Sequence, residues 1–101
     1  MDNSAIEKVL DRLGLEATGK YDNKQYVIAI EDSDEYSKMF TKLEKNAIHT
    51  EFPAIGTNTN GSTIKLTNYF ELEEDNKKYM LFLIADFDKD KYYLKIGGFE
   101  D

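Results

Sequence analysis

The sequence predicts an α+β fold: an antiparallel β-sheet of four to six strands with two short amphipathic helices packed on one face. Three observations lead there. Two segments in the first half repeat apolar residues at helical spacing. The last forty residues alternate in polarity or run apolar in short stretches. Turn residues divide these stretches, and there is no linker, repeat or low-complexity segment, so residues 1–101 are expected to form a single domain.

Ser4-Ala5-Ile6-Glu7 has the form of a capping box, with Ser4 as N-cap and Glu7 at N3. Ile6, Val9, Leu10 and Leu13 follow on one helical stripe. Gly14 suits a left-handed C′ position, and Leu15 can close the helix end as its apolar partner. Glu16 to Tyr21 reads as weakly extended and Asp22-Asn23-Lys24 as a turn. Gln25 to Glu31 is rich in β-branched and aromatic residues and reads as a strand. These two segments can form a hairpin.

A second helix begins at Asp32-Ser33-Asp34-Glu35. Asp32 or Ser33 is the cap, and the acids complement the positive end of the helix dipole. Tyr36, Met39, Phe40 and Leu43 make its apolar stripe, Lys42 and Lys45 lie in its last turn, and it ends near Asn46. Ile48 to Phe52 is a short strand that Pro53 stops or confines to an edge. Gly56 to Gly61 is turn-like, and Asn60-Gly61 is a hairpin signal.

Ser62 to Glu73 alternates, with Ile64, Leu66, Phe70 and Leu72 on one side and Lys65, Thr67, Tyr69, Glu71 and Glu73 on the other. Glu74-Asp75-Asn76 is a turn. Lys78 to Phe87 is apolar on both faces, as in a central strand covered on each side to some extent. Asp88-Lys89-Asp90 turns the chain, Lys91 to Ile96 closes the sheet, and Gly97-Gly98 ends it. The expected order is α-β-β-α-β-β-β-β.

Composition narrows the function. Twenty acidic residues against thirteen basic ones give a formal net charge of −7, which disfavours direct binding to nucleic acid or to an anionic membrane. Cysteine is absent, which removes disulfides, thiolate nucleophiles and cysteine-ligated metals. The N-terminus lacks a signal-peptide pattern, and the apolar run Tyr79 to Phe87 is too short to cross a bilayer as a helix. The expected location is the cytoplasm, where the Asn60-Gly61-Ser62 sequon would go unused.

No catalytic constellation stands out, and the chain is not expected to be an enzyme. His49 is the one histidine, with Thr50 and Glu51 beside it in sequence. On a strand, neighbours point to opposite faces, so these three do not converge locally. Asp86, Asp88 and Asp90 open like an EF-hand loop, but Lys91 stands where glycine is needed and Gly97 where the bidentate glutamate belongs. There is no phosphate-binding glycine motif, and Arg12 is the only arginine. No cofactor, metal or catalytic residue is expected.

The acids gather in groups: Glu31, Asp32, Asp34 and Glu35; Glu71, Glu73, Glu74 and Asp75; Asp86, Asp88 and Asp90; and Glu100 and Asp101. Helix N-termini, turns and protected strand edges account for acids at such places. If the strand stays extended, Asp86, Asp88 and Asp90 also form a charge row spaced about 6.8 Å apart, on the scale of a nucleic-acid backbone. Such a row on a rigid sheet can occupy a basic groove. The candidate contact set is Asp86, Asp88, Asp90, Glu71, Glu73, Glu74 and Tyr92. The expected partner is a basic protein, a nucleic-acid-processing enzyme among the options, and the oligomeric state is open.

In size and charge the chain resembles small acidic phage inhibitors, anti-CRISPR proteins among them, and immunity proteins of nuclease toxins. The resemblance is one of composition. No motif carries it, and it assigns no residue a role. The alternative to such an inhibitor is a structural or assembly subunit.

Overall fold

Strands pair in the order β1-β2-β7-β6-β5-β3 in this computed structural model, and β4 also pairs with β5. The structure describes residues 3–98, with side chains from residue 5 onward. The side chain of Ser4, on which the expected cap rests, and the pair Glu100 and Asp101 therefore lie outside what the structure describes. The elements are α1 (Asn3–Leu13), β1 (Lys20–Asp22), β2 (Gln25–Ile30), α2 (Ser33–Asn46), β3 (His49–Thr50), β4 (Ala54–Thr57), β5 (Thr63–Glu74), β6 (Lys77–Asp86) and β7 (Lys91–Gly97). Every described strand pairing is antiparallel.

The α+β class holds, with seven strands instead of four to six. The added strand is β4, which starts directly after Pro53 and is exposed along its whole length. An exposed edge strand buries nothing, so it leaves no apolar alternation in the sequence. β3 and β4 lie end to end along the same edge of β5.

Helix α1 ends as its residues dictate. Gly14 adopts φ 68°. The Gly14 N–H donates to Asp11 O at 3.1 Å and the Leu15 N–H to Leu10 O at 2.9 Å. Those are the two bonds of a Schellman motif. At the start of α2, the Asp32 carboxylate accepts from the Glu35 N–H at 2.9 Å.

Two hairpins close through two-residue loops in which both residues have positive φ: Asn23-Lys24 and Asp75-Asn76. That geometry matches the twist of the flanking strands. The β6–β7 connection is longer, and Asp90 takes the left-handed position in it.

One face of the sheet carries the core. Phe70 and Leu72 of β5, Tyr79, Leu81 and Leu83 of β6, Leu94 and Ile96 of β7, and Tyr26, Ile28 and Ile30 of β2 are buried there. Ile6, Val9, Leu10 and Leu13 of α1 and Met39 and Leu43 of α2 cover them. Burial of these side chains is the main favourable term in folding.

Asn68 is the buried polar member of this face. Its Nδ2 donates to the Tyr36 hydroxyl at 2.6 Å and lies 3.5 Å from Leu83 O. That hydrogen bonding is what makes a buried amide tolerable.

No described helix packs on the opposite face. β6 reads as a strand covered on each side to some extent, and its helix side is the more deeply buried. Ile84 is nevertheless buried on the outer face, and Met80 is 43% exposed.

Candidate functional site

The candidate residues fall at two ends of the sheet. Register fixes this. Asp86 lies opposite Lys65 and Lys91, whereas Glu73 lies opposite Lys78 and Glu74 opposite Lys77. Between these ends β6 spans eight residue steps, or about 27 Å. Asp86, Asp88 and Asp90 are thus brought together with one another. They are not brought together with Glu71, Glu73 and Glu74.

The extended carboxylate row does not form. β6 ends at Asp86, and the chain then turns over the start of β5. The N–H groups of Phe87 and Asp88 both donate to Ile64 O, at 2.9 and 3.3 Å. Asp86 Oδ1 accepts from the Lys89 N–H at 3.1 Å and so stabilises the turn. Aspartate is favoured in turns for this reason, and here the turn residues override continuation of the strand. Asp88 and Asp90 are left exposed at the tip.

A different gathering replaces the row. Ile30, the last residue of β2, pairs with Tyr92 near the start of β7. Glu31 and the start of α2 therefore lie at the same end of the sheet as the β6–β7 turn. Glu31, Asp90 and Asp22 line one shallow depression together with Lys20, Lys91 and Lys95, so the depression itself is balanced in charge. Two acid groups some sixty residues apart thus share one end. Within it, Asp34 and Glu35 approach Lys38 at 3.3 and 3.8 Å. The Asp34 carboxylate, by hydrogen bond and charge, holds the Lys38 ammonium above its usual pKa. Tyr92 is half-buried there, with its ring 5.3 Å from that of Tyr36.

The other end is balanced by its own cations. Arg12 Nη1 lies 2.9 Å from Glu74 Oε2 and also donates to Glu73 O. Lys8 forms an ion pair with Asp75, which raises the Lys8 pKa. Helix α1 supplies both cations, so its i, i+4 spacing answers the acidic hairpin.

Glu71 serves the outer face. Its Oε2 accepts from the Tyr69 hydroxyl at 2.8 Å. Burial, together with this hydrogen bond and the nearby charges of Glu71 and Glu51, pushes the Tyr69 phenol up to about 12. Beside it, His49 Nε2 and Glu51 Oε2 are 3.1 Å apart. These two residues share the outer face, as i, i+2 positions do. Thr50 pairs with Phe70 and belongs to the helix side, so the three do not form a triad.

No three His, Asp or Glu side chains are grouped to hold a metal ion among the described residues. No described helix is long and apolar enough to cross a membrane. Compared with protein families, curated proteins and solved structures, the chain matches none of them.

Sequence reasoning found the acid groups but not their placement. The signal lies in the topology: inserting β7 between β2 and β6 carries residues 31–35 to residues 86–90. It also missed Phe52, which is 99% exposed beside Pro53 on the β3–β4 edge.

Proposed function

We propose that this chain is a non-enzymatic protein-binding module whose acidic end docks on a basic surface of a partner protein. The observation that carries this reading is that the strand registers put residues 31–35 and 86–90 at one end of the sheet, with Asp88 and Asp90 exposed there. The acids of the opposite hairpin are answered internally by Arg12 and Lys8. Even with Lys38, Lys65, Lys89 and Lys91 nearby, the acids outnumber the bases more at the β6–β7 end, where charge can steer association.

A groove that holds nucleic acid is the kind of basic surface this end fits. An inhibitor of the anti-CRISPR or nuclease-immunity type would use it in that way, in a reducing compartment such as the cytoplasm. The contact set is then Glu31, Asp32, Asp86, Asp88, Asp90 and Tyr92, with Glu71, Glu73 and Glu74 outside it.

The test is affinity capture. The immobilised chain is exposed to nuclease-treated lysate of its native host and washed at low and high salt. A basic protein held at low salt and released at high salt is the expected result. Recovery of no partner, or of one indifferent to salt, contradicts the reading.

A further inference from the structure

The β3–β4 edge holds a notch that lies apart from the acidic end. β5 pairs with Thr50 through Phe70 and with Ala54 through Thr67. Three residues, 51–53, therefore face two, 68 and 69. The extra residue pushes this strap out of the sheet, as a bulge does. Its hold on β5 is slight. The Glu51 N–H reaches Tyr69 O at 3.4 Å, and Pro53 has no N–H to donate. Beneath the strap, toward α2, a notch of about 700 Å³ is left open.

The lining has one chemical character. Phe40 of α2 is half-buried and packs 5.5 Å from Phe70, which is 2% exposed and forms the floor. Phe52 stands at the mouth, 99% exposed. Two acids line the notch, Glu44 from α2 and Glu51 from the strap. Among the described residues no lysine, arginine or histidine lines it. The one cation site beside it is His49, whose Nε2 is 3.1 Å from Glu51 Oε2.

Aromatic walls with carboxylates and no base are surroundings for an organic cation. Ring faces attract a cation placed over them, and carboxylates supply its counter-charge. An apolar guest leaves both acids desolvated without a partner, and an anion is repelled by them. Among organic cations the guanidinium suits the notch best. It is planar and weakly hydrated, so it stacks on rings. Its five N–H donors can serve two carboxylates at once. An ammonium is compact and strongly hydrated, and it does not stack.

We propose that the notch receives an arginine side chain of a partner protein. The guanidinium lies toward Glu44 and Glu51, and the methylene stem runs along Phe40 and Phe52. Closure of Phe52 over the stem takes from water the most exposed of the large apolar side chains described. The site stands independently of the acidic end, because small arginine derivatives test it without any partner protein.

The test follows amide chemical shifts of the full chain as N-acetylarginine methylamide is added to tens of millimolar. The citrulline counterpart, similar in shape and uncharged, and the lysine counterpart are run beside it. Shifts are expected to gather in residues 40–53 and 67–70. The arginine compound should bind at least about fivefold more tightly than the citrulline one. Glu44→Gln and Phe52→Ala should each weaken binding about two- to fivefold. Both side chains are exposed, so the fold survives, and unchanged shifts elsewhere verify it. Absence of shifts, shifts confined to the β6–β7 end, or equal binding of the citrulline compound overturns the proposal. So does lysine that binds as tightly as arginine, since charge alone would then suffice, and so do variants that leave arginine binding unchanged.

Discussion

At the scale of single residues, close approach matters more than residue type. Gly19 lies just before β1, and its N–H donates to the Tyr26 hydroxyl at 2.9 Å. A Cβ on Gly19 would lie 2.3 Å from Val27 O and 2.7 Å from the Tyr26 ring. Gly19→Ala should therefore destabilise the fold by about 1–3 kcal/mol, read as a lower urea midpoint. The sequence holds no trace of this, because the clash is with a partner strand rather than a neighbour in the chain. The same holds for Asn68, whose role depends on Tyr36 arriving from α2.

Tyr69 makes a prediction about pH. The fold raises its pKa from 10.0 to about 12, so the neutral phenol is the favoured form. Its contribution to stability is complete below pH 10 and is lost as the pH rises through the window from 10 to about 12. Phenolate absorbance should show one tyrosine titrating late. Glu71→Gln should bring that midpoint down, while the part due to burial remains. A midpoint indifferent to Glu71 would show that the hydrogen bond contributes nothing.

At the scale of elements, local rules settled most of the outcome. The Schellman end of α1, the Asp32 cap and the Asp75-Asn76 loop are written in residues with strong backbone preferences, whereas Lys24 takes φ 66° in the other loop without one. Asp32→Ala should cost about 1 kcal/mol, within a range of about 0.5–2, because a backbone N–H of the first turn loses its acceptor. Thermal unfolding measures it, and an unchanged midpoint would mean that water replaces the cap fully. Strand β4 was not legible, since pairing with β5 gives it no buried face. Nor was the end of β6. Hydropathy carries the strand to Phe87, but the hydrogen bonds from Phe87 and Asp88 to Ile64 bend the chain there.

At the scale of the whole molecule, charge is segregated. The sequence shows acidic groups, and each has a local cause. Which groups share a surface depends on strand order, and local signals do not encode that. β7 stands between β2 and β6, so the start of α2 lies at the same end of the sheet as the β6–β7 turn, while Lys8 and Arg12 answer the β5–β6 hairpin. The candidate site was therefore half legible: its residue types were visible, and its division between two ends was not.

The most direct measurement compares the two ends. Association rates with the captured partner are measured against ionic strength for two charge reversals of equal size, Glu31→Lys with Asp88→Lys and Glu73→Lys with Asp75→Lys. The account predicts that the first pair slows association at least about tenfold and flattens its salt dependence, while the second changes both little. Equal effects from the two pairs, or a larger one from the second, would contradict it.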